Sequence, residues 1–146
     1  MIDARNDAKY ELAVEVLGSF GGAQLPVTGA SMLPALWPGD ILEVRRESPA
    51  RIFAGDVVVF RRQGRLLAHR VVEKLGTSDG GVLVTRGDRL EQTDPPVSAE
   101  ELLGCVTWVQ RGHRRLGPRL TLWGRATSWV LRRSEFCTRA LLRLRG

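Results

Sequence analysis

The chain has 146 residues, 43% hydrophobic and 26% charged, with a formal net charge of +6. That is one domain's length, enough to bury roughly two-thirds of the unfolded surface, and two cysteines, Cys105 and Cys137, make no disulfide framework. No stretch reaches the roughly 18 to 20 uninterrupted apolar residues that cross a bilayer, and the polar, acidic Met1–Asp7 is unlike a signal peptide.

Asn6 or Asp7 caps a first predicted helix running to about Leu17, with Leu12, Ala13, Val16 and Leu17 on one face. Gly18, Gly21 and Gly22 end it. Gln24 to Thr28 reads as a short strand, followed by a serine on a tight path, Gly29-Ala30-Ser31-Met32-Leu33-Pro34, and by a Pro38-Gly39-Asp40 turn. Ile41 to Arg45 is the next strand. Gly55-Asp56 leads into the β-branched run Val57 to Arg61, and Gln63-Gly64 turns it into a strand from Leu66 to Leu75. Ser78 to Gly81 is a second hairpin turn before a strand from Val82 to Thr85. Asp88 to Pro96 is loop, Ser98-Ala99-Glu100-Glu101 is a turn or helix start, and Gly104 to Gln110 is the last strand. Many short strands with few helices predict a mainly β fold of coiled antiparallel sheets. The domain plan is an N-terminal helix and linker over residues 1–24, a central β domain over 25–112 and a basic amphipathic tail over 113–146.

The charge is unevenly placed. From Arg119 onward there are seven arginines and one acid, Glu135, so the whole excess of +6 lies there and the rest is neutral. Nucleic acid is therefore not an expected partner of the body of the chain. At about 100° per residue, Trp123, Ala126, Val130, Cys137, Leu141 and Leu144 share one helical face. Arg125, Arg132, Arg139 and Arg143 fall in a band on another, and Trp129 and Phe136 flank the apolar side. Such a helix suits either an anionic membrane surface or packing on the domain with its arginines solvated.

A serine is a poor nucleophile unless a base lies within hydrogen-bond reach and donors face the developing oxyanion. The sequence offers two histidines. His113 sits in a basic cluster, Arg111-Gly112-His113-Arg114-Arg115, and reads as solvated. His69 has strand residues on both sides, which gives a base the rigid support it needs. Downstream, Asp88 and Asp94 lie in a Gly- and Pro-rich connection, and either carboxylate can orient an imidazole.

Four boxes in order, Ser31-Met32-x-Pro34-x-Leu36-x-x-Gly39-Asp40, Gly55-Asp56-Val57-Val58-Val59-Phe60, Ala68-His69-Arg70-Val71 and Arg86-Gly87-Asp88, resemble those of type I signal peptidases over roughly residues 25–110. Histidine in the base position is similar to the branch found in the endoplasmic reticulum, archaea and sporulating bacteria. The resemblance implies Ser31 as nucleophile, His69 as base, Asp94 as the third member six residues after the Gly-Asp, and Asp88 near the site. Met32 and Pro34 would shape the turn and the floor of a cleft. A peptide or protein substrate would lie extended beside Leu66, Leu67 and Ala68 and be cut after small residues. Gly29 departs from the serine common there. Val27-Thr28-Gly29-Ala30-Ser31-Met32 is closer to the LexA-type box, which leaves the oxyanion to backbone N–H groups of Gly29, Ala30 and Ser31. The family's membrane anchor is also missing, so the expected location is cytoplasmic or peripheral at the cytoplasmic membrane. No metal or other cofactor is expected. A LexA-type self-cleaving or dimerising module and a non-catalytic lipid- or nucleic-acid-binding module are the alternatives.

Overall fold

The computed structural model describes residues 7–76 and 81–119, with Trp129 and Leu142 as single helical positions. Helix α1 spans Asp7–Phe20. It buries Ala13 and Leu17 while Leu12 and Phe20 stay exposed, so only one stripe of it meets the core.

Seven antiparallel strands follow: β1 (Gly22–Pro26), β2 (Ile41–Arg45), β3 (Val57–Arg62), β4 (Arg65–Leu75), β5 (Val82–Arg86), β6 (Leu102–Arg111) and β7 (Arg114–Leu116). Their order in the sheet is β1-β2-β6-β3-β4-β5, with β7 also on β6. Register shifts in the β2–β6, β3–β6 and β4–β5 pairs mark bulges, which coil the sheet. The mainly β fold expected from the sequence is the one observed.

β3 lies at the centre because it is apolar on both faces. Val57 and Val59 join a cluster with Leu17, Leu36, Leu42, Val44 and Val106. Val58 and Phe60 join a second cluster with Ile52, Val71, Leu83 and Val97. All four β3 residues are fully buried, which is why the strand reads as a continuous apolar run without alternation. Gln63 and Gly64 both have positive φ, 52° and 70°, the type I′ turn whose twist matches that of the strands. This turn sets the β3–β4 register and puts His69 opposite Val58.

Three differences from the sequence reading have local causes. The first strand ends at Pro26 because Val27 turns away to bond Asp40 and Gly39 through its backbone. The last long strand starts two residues earlier, at Leu102, where Phe60 pairs with it. It then turns through Gly112-His113 into β7, so pairing continues past residue 112. Of the tail residues singled out for their pattern, only Trp129 is described, as a helical residue 61% exposed. Trp123, Arg125, Arg132, Phe136, Arg139 and Arg143 lie outside the described residues.

Candidate active site

Ser31 sits in a succession of turns between β1 and β2, and that segment is pinned from several sides. Asp40 accepts the backbone N–H of Trp37 at 2.8 Å, and Asp56 accepts that of Phe53 at 3.0 Å. In each, a glycine of positive φ, Gly39 or Gly55, precedes the aspartate. The repeated Gly-Asp box is thus a turn-fixing device. Asp40 is fully buried and held in fork geometry by Arg111, which also donates to the Ala35 carbonyl. The Trp37 indole donates to the Pro34 carbonyl at 2.9 Å, across a turn with a cis Leu33–Pro34 bond.

The last box closes over the serine. The Arg89 N–H donates to the Ser31 carbonyl at 2.9 Å. A Cβ on Gly87 would stand 2.7 Å from that same oxygen, so the approach is possible only for glycine. The Asp88 N–H faces the Met32 sulfur at 3.4 Å.

His69 lies midway along β4 and is 4% exposed, its ring T-shaped to Phe60 at 6.1 Å. Its Nε2 is 3.1 Å from Ser31 Oγ, and its Nδ1 is 2.6 Å from Asp94 Oδ2. An ionised carboxylate only accepts, so Nδ1 carries the proton, and in the neutral ring Nε2 accepts from the Ser31 hydroxyl. Thr85 donates its hydroxyl to the same Asp94 oxygen at 2.7 Å, and its carbonyl accepts the Asp94 N–H at 2.8 Å. Burial pushes the Asp94 carboxyl up. The hydrogen bonds from His69 and Thr85, with the nearby charges of His69 and Arg62, outweigh that and hold it below its usual 3.8.

Asp88 is placed differently. Its two oxygens receive the Nε and Nη2 of Arg70, both at 2.8 Å. Arg70 also donates to the carbonyls of Gly55 and Pro118. The pair is buried and ties three loops together beside His69. The contact with the imidazole Nδ1 is made by Asp94.

The expected cleft residues divide. Met32, Leu66 and Ala68 belong to the core cluster, Leu67 packs against the second cluster and Pro34 is half-buried. What β4 leaves open is its backbone. β5 pairs with it only from Arg70 to Leu75, so among the described strands Leu66 to His69 have a neighbour on the β3 side alone. Gly29, Ala30 and Ser31 are partly exposed, and their N–H groups donate no backbone hydrogen bond among the described residues. His113 is exposed in the β6–β7 turn.

Thr85 and Arg111 carry this geometry without having been singled out, and Arg70 and Gly87 were read only as members of their boxes. Arg70 left a trace, since an arginine inside an apolar strand needs a buried acid. Thr85 looks like any strand threonine.

The sequence model of one family, described as Peptidase S24-like, matches residues 3–90. The chain belongs to that family. The matched span contains Ser31 and His69 and stops short of Asp94. This S24-like chain is 34% identical over 91 residues to the signal peptidase complex catalytic subunit SEC11 of Metarhizium robertsii, covering 55% of the chain and 53% of that protein. It is 36% identical over 76 residues to the SEC11 subunit of Metarhizium acridum, covering 50% and 44%. Over 65 residues it is 42% identical to that of Scheffersomyces stipitis, covering 42% and 38%. The chain thus spans about half the length, or less, of these curated relatives. With them it falls in the signal peptidase I and LexA-like superfamily of serine peptidases. Among the described residues no helix is long and apolar enough to cross a membrane.

Proposed function

We propose that this S24-like chain is a serine endopeptidase of signal-peptidase type that works through Ser31, His69 and Asp94. The observation that carries the reading is the unbroken hydrogen-bonded relay from Ser31 Oγ through the imidazole to Asp94. Ser31 Oγ attacks the scissile carbonyl carbon as His69 Nε2 takes its proton. The oxyanion forms against backbone N–H groups of the Gly29–Ser31 turn, a type of contact whose loss typically costs about 10²- to 10³-fold in rate. His69 then gives the proton to the leaving amine. Water, activated by the same imidazole, releases the acyl group from Ser31. Asp94 holds the tautomer and steadies the imidazolium; Asp88 holds the loop through Arg70.

The open stretch of β4 is the natural place for an extended peptide, which would add as a short strand and carry its scissile bond past His69 to Ser31. Leader or signal-like peptides cut after small residues are the proposed substrates. The arginine-rich segment after residue 119 would hold the chain at an anionic membrane surface.

The test is cleavage of a leader peptide bearing an Ala-x-Ala site, followed by mass spectrometry. Ser31→Ala and His69→Ala should each abolish cleavage while the circular dichroism spectrum is retained. Full activity in either variant would sink the proposal. A LexA-type self-cleaving module would instead yield two fragments of the chain itself at raised pH.

A further inference from the structure

Asp94 must stay within hydrogen-bond reach of His69, yet it opens the sequence Asp94-Pro95-Pro96, which is poorly equipped to hold itself. Neither proline has an N–H to donate. The loop is held on either side, where the Asp94 N–H donates to the Thr85 carbonyl and Val97 pairs with Leu83, but at the prolines themselves it can be tied only through carbonyls, by donors that lie elsewhere. Arg62, the last residue of β3, supplies them. Its Nη1 donates to the Pro95 carbonyl at 2.7 Å and its Nη2 to the Pro96 carbonyl at 2.9 Å.

The same guanidinium is fixed from its other edge. Nε and Nη2 donate to the two oxygens of Glu101 at 3.0 and 2.9 Å. Glu101 is itself anchored: its Oε2 accepts the Ser98 N–H at 3.0 Å and its carbonyl accepts the Arg61 N–H at 2.8 Å. The guanidinium lies 5.3 Å over the Phe60 ring, and Phe60 stands against His69. The Arg62 side chain is only 18% exposed, so this is no loose surface ion pair of the kind that adds little. Four donors in a fixed plane meet two carbonyls and a carboxylate, which a lysine cannot reproduce.

We propose that Arg62 is a positioning residue of the peptidase: by clamping the Pro95 and Pro96 carbonyls to Glu101 it keeps Asp94 on His69 Nδ1. The inference rests on the Ser31–His69–Asp94 reading. Arg62 touches neither the reacting atoms nor the imidazole. Its influence passes through the loop and through its charge near the Asp94 carboxylate, so on either route it vanishes when Asp94 has no carboxylate.

The experiment compares wild type, Arg62→Ala, Arg62→Lys, Asp94→Ala and the double variant Arg62→Ala/Asp94→Ala in leader-peptide cleavage. In parallel, the low-field NMR resonance of the His69 Nδ1 proton is followed. Arg62→Ala should lower kcat by about 10- to 100-fold, the scale expected for misplacing a catalytic group by an ångström or less, with KM little changed. Lysine should restore only a small part. The Nδ1 proton resonance should disappear or broaden. In the Asp94→Ala background, Arg62→Ala should cost no more than about twofold. An equal loss in both backgrounds, or an unchanged Nδ1 resonance in Arg62→Ala, would overturn the proposal. If Arg62→Ala does not fold, Glu101→Gln, which loosens the guanidinium without removing it, is held to the same two criteria. The resonance needs no turnover. Should Ser31→Ala cleave normally, the peptidase reading falls, while the NMR result still reports whether Arg62 sets the place of Asp94.

Discussion

Asp94 accepts two hydrogen bonds at one oxygen, from His69 and Thr85, and this makes asparagine an instructive replacement. The amide can present an N–H to the imidazole Nδ1, which forces the ring proton onto Nε2, where it opposes the Ser31 hydroxyl. Asp94→Asn should therefore lower kcat by about 10²- to 10⁴-fold and do at least as much harm as Asp94→Ala. The same carboxyl has a sign to its pH dependence. Its pKa is lower folded than unfolded, so folding favours the ionised form. That stability is fully present above the unfolded pKa and is lost as pH falls through the lower, folded one. The Tm gap between wild type and Asp94→Ala should shrink as pH is lowered from about 5 to about 2; a gap that widens would contradict the assignment. That Ser31 and His69 come together was legible from the order of boxes and the strand around His69, while the choice of Asp94 over Asp88 as their neighbour rested on the resemblance alone. Thr85 and Arg62 were not legible. Their importance comes from where the β5–β6 connection returns in space, and no local pattern records that.

At the level of elements, the strands follow from simple features of the sequence. Val57-Val58-Val59-Phe60 is apolar on both faces and so is central, and Gln63-Gly64 sets its hairpin. β7 escaped the sequence reading because Arg114-Arg115-Leu116 is short and charged, and it is held by pairing with β6 rather than by burial. Met32 was expected at the floor of a cleft, and Leu66 to Ala68 beside an extended peptide paired through its backbone; the side chains of Met32, Leu66 and Ala68 are core, residues 66 and 68 sharing the inward face of the pleat. The boxes that surround the site act chiefly as contacts between elements. Gly87 shows this best, because it lets the β5–β6 connection rest on the Ser31 carbonyl. Gly87→Ala should cost about 1–3 kcal/mol of stability, the usual penalty of forcing a methyl into a filled space. Its loss of cleavage should be larger than that stability change explains, because the atom displaced belongs to Ser31. Urea unfolding and peptide assays on the same preparation check both. An active, fully stable Gly87→Ala would mean the two segments are not held together as described.

For the whole molecule, the division of charge is the clearest global feature. Residues 1–118 are neutral, and the excess lies from Arg119 onward. Two contacts bring the start of that segment to the sheet and its loops: Arg70 donates to the Pro118 carbonyl, and Arg119 pairs with Asp56 at 3.3 Å. A truncation that keeps residues 1–119 should therefore retain peptide cleavage. It should lose sedimentation with vesicles containing anionic lipid, and the binding of the full chain should weaken as salt rises. Equal sedimentation of both forms would assign the tail another role. Nucleophilic chemistry at Ser31 Oγ is tested most directly by incubating the protein with a penem-type β-lactam, whose carbonyl an activated serine attacks, opening the ring C–N bond and keeping the acyl group, and mapping the adduct by mass spectrometry. One equivalent is expected on Ser31 in the wild type and none in His69→Ala. No adduct on Ser31, or an adduct that forms as readily in His69→Ala, would contradict the proposed mechanism.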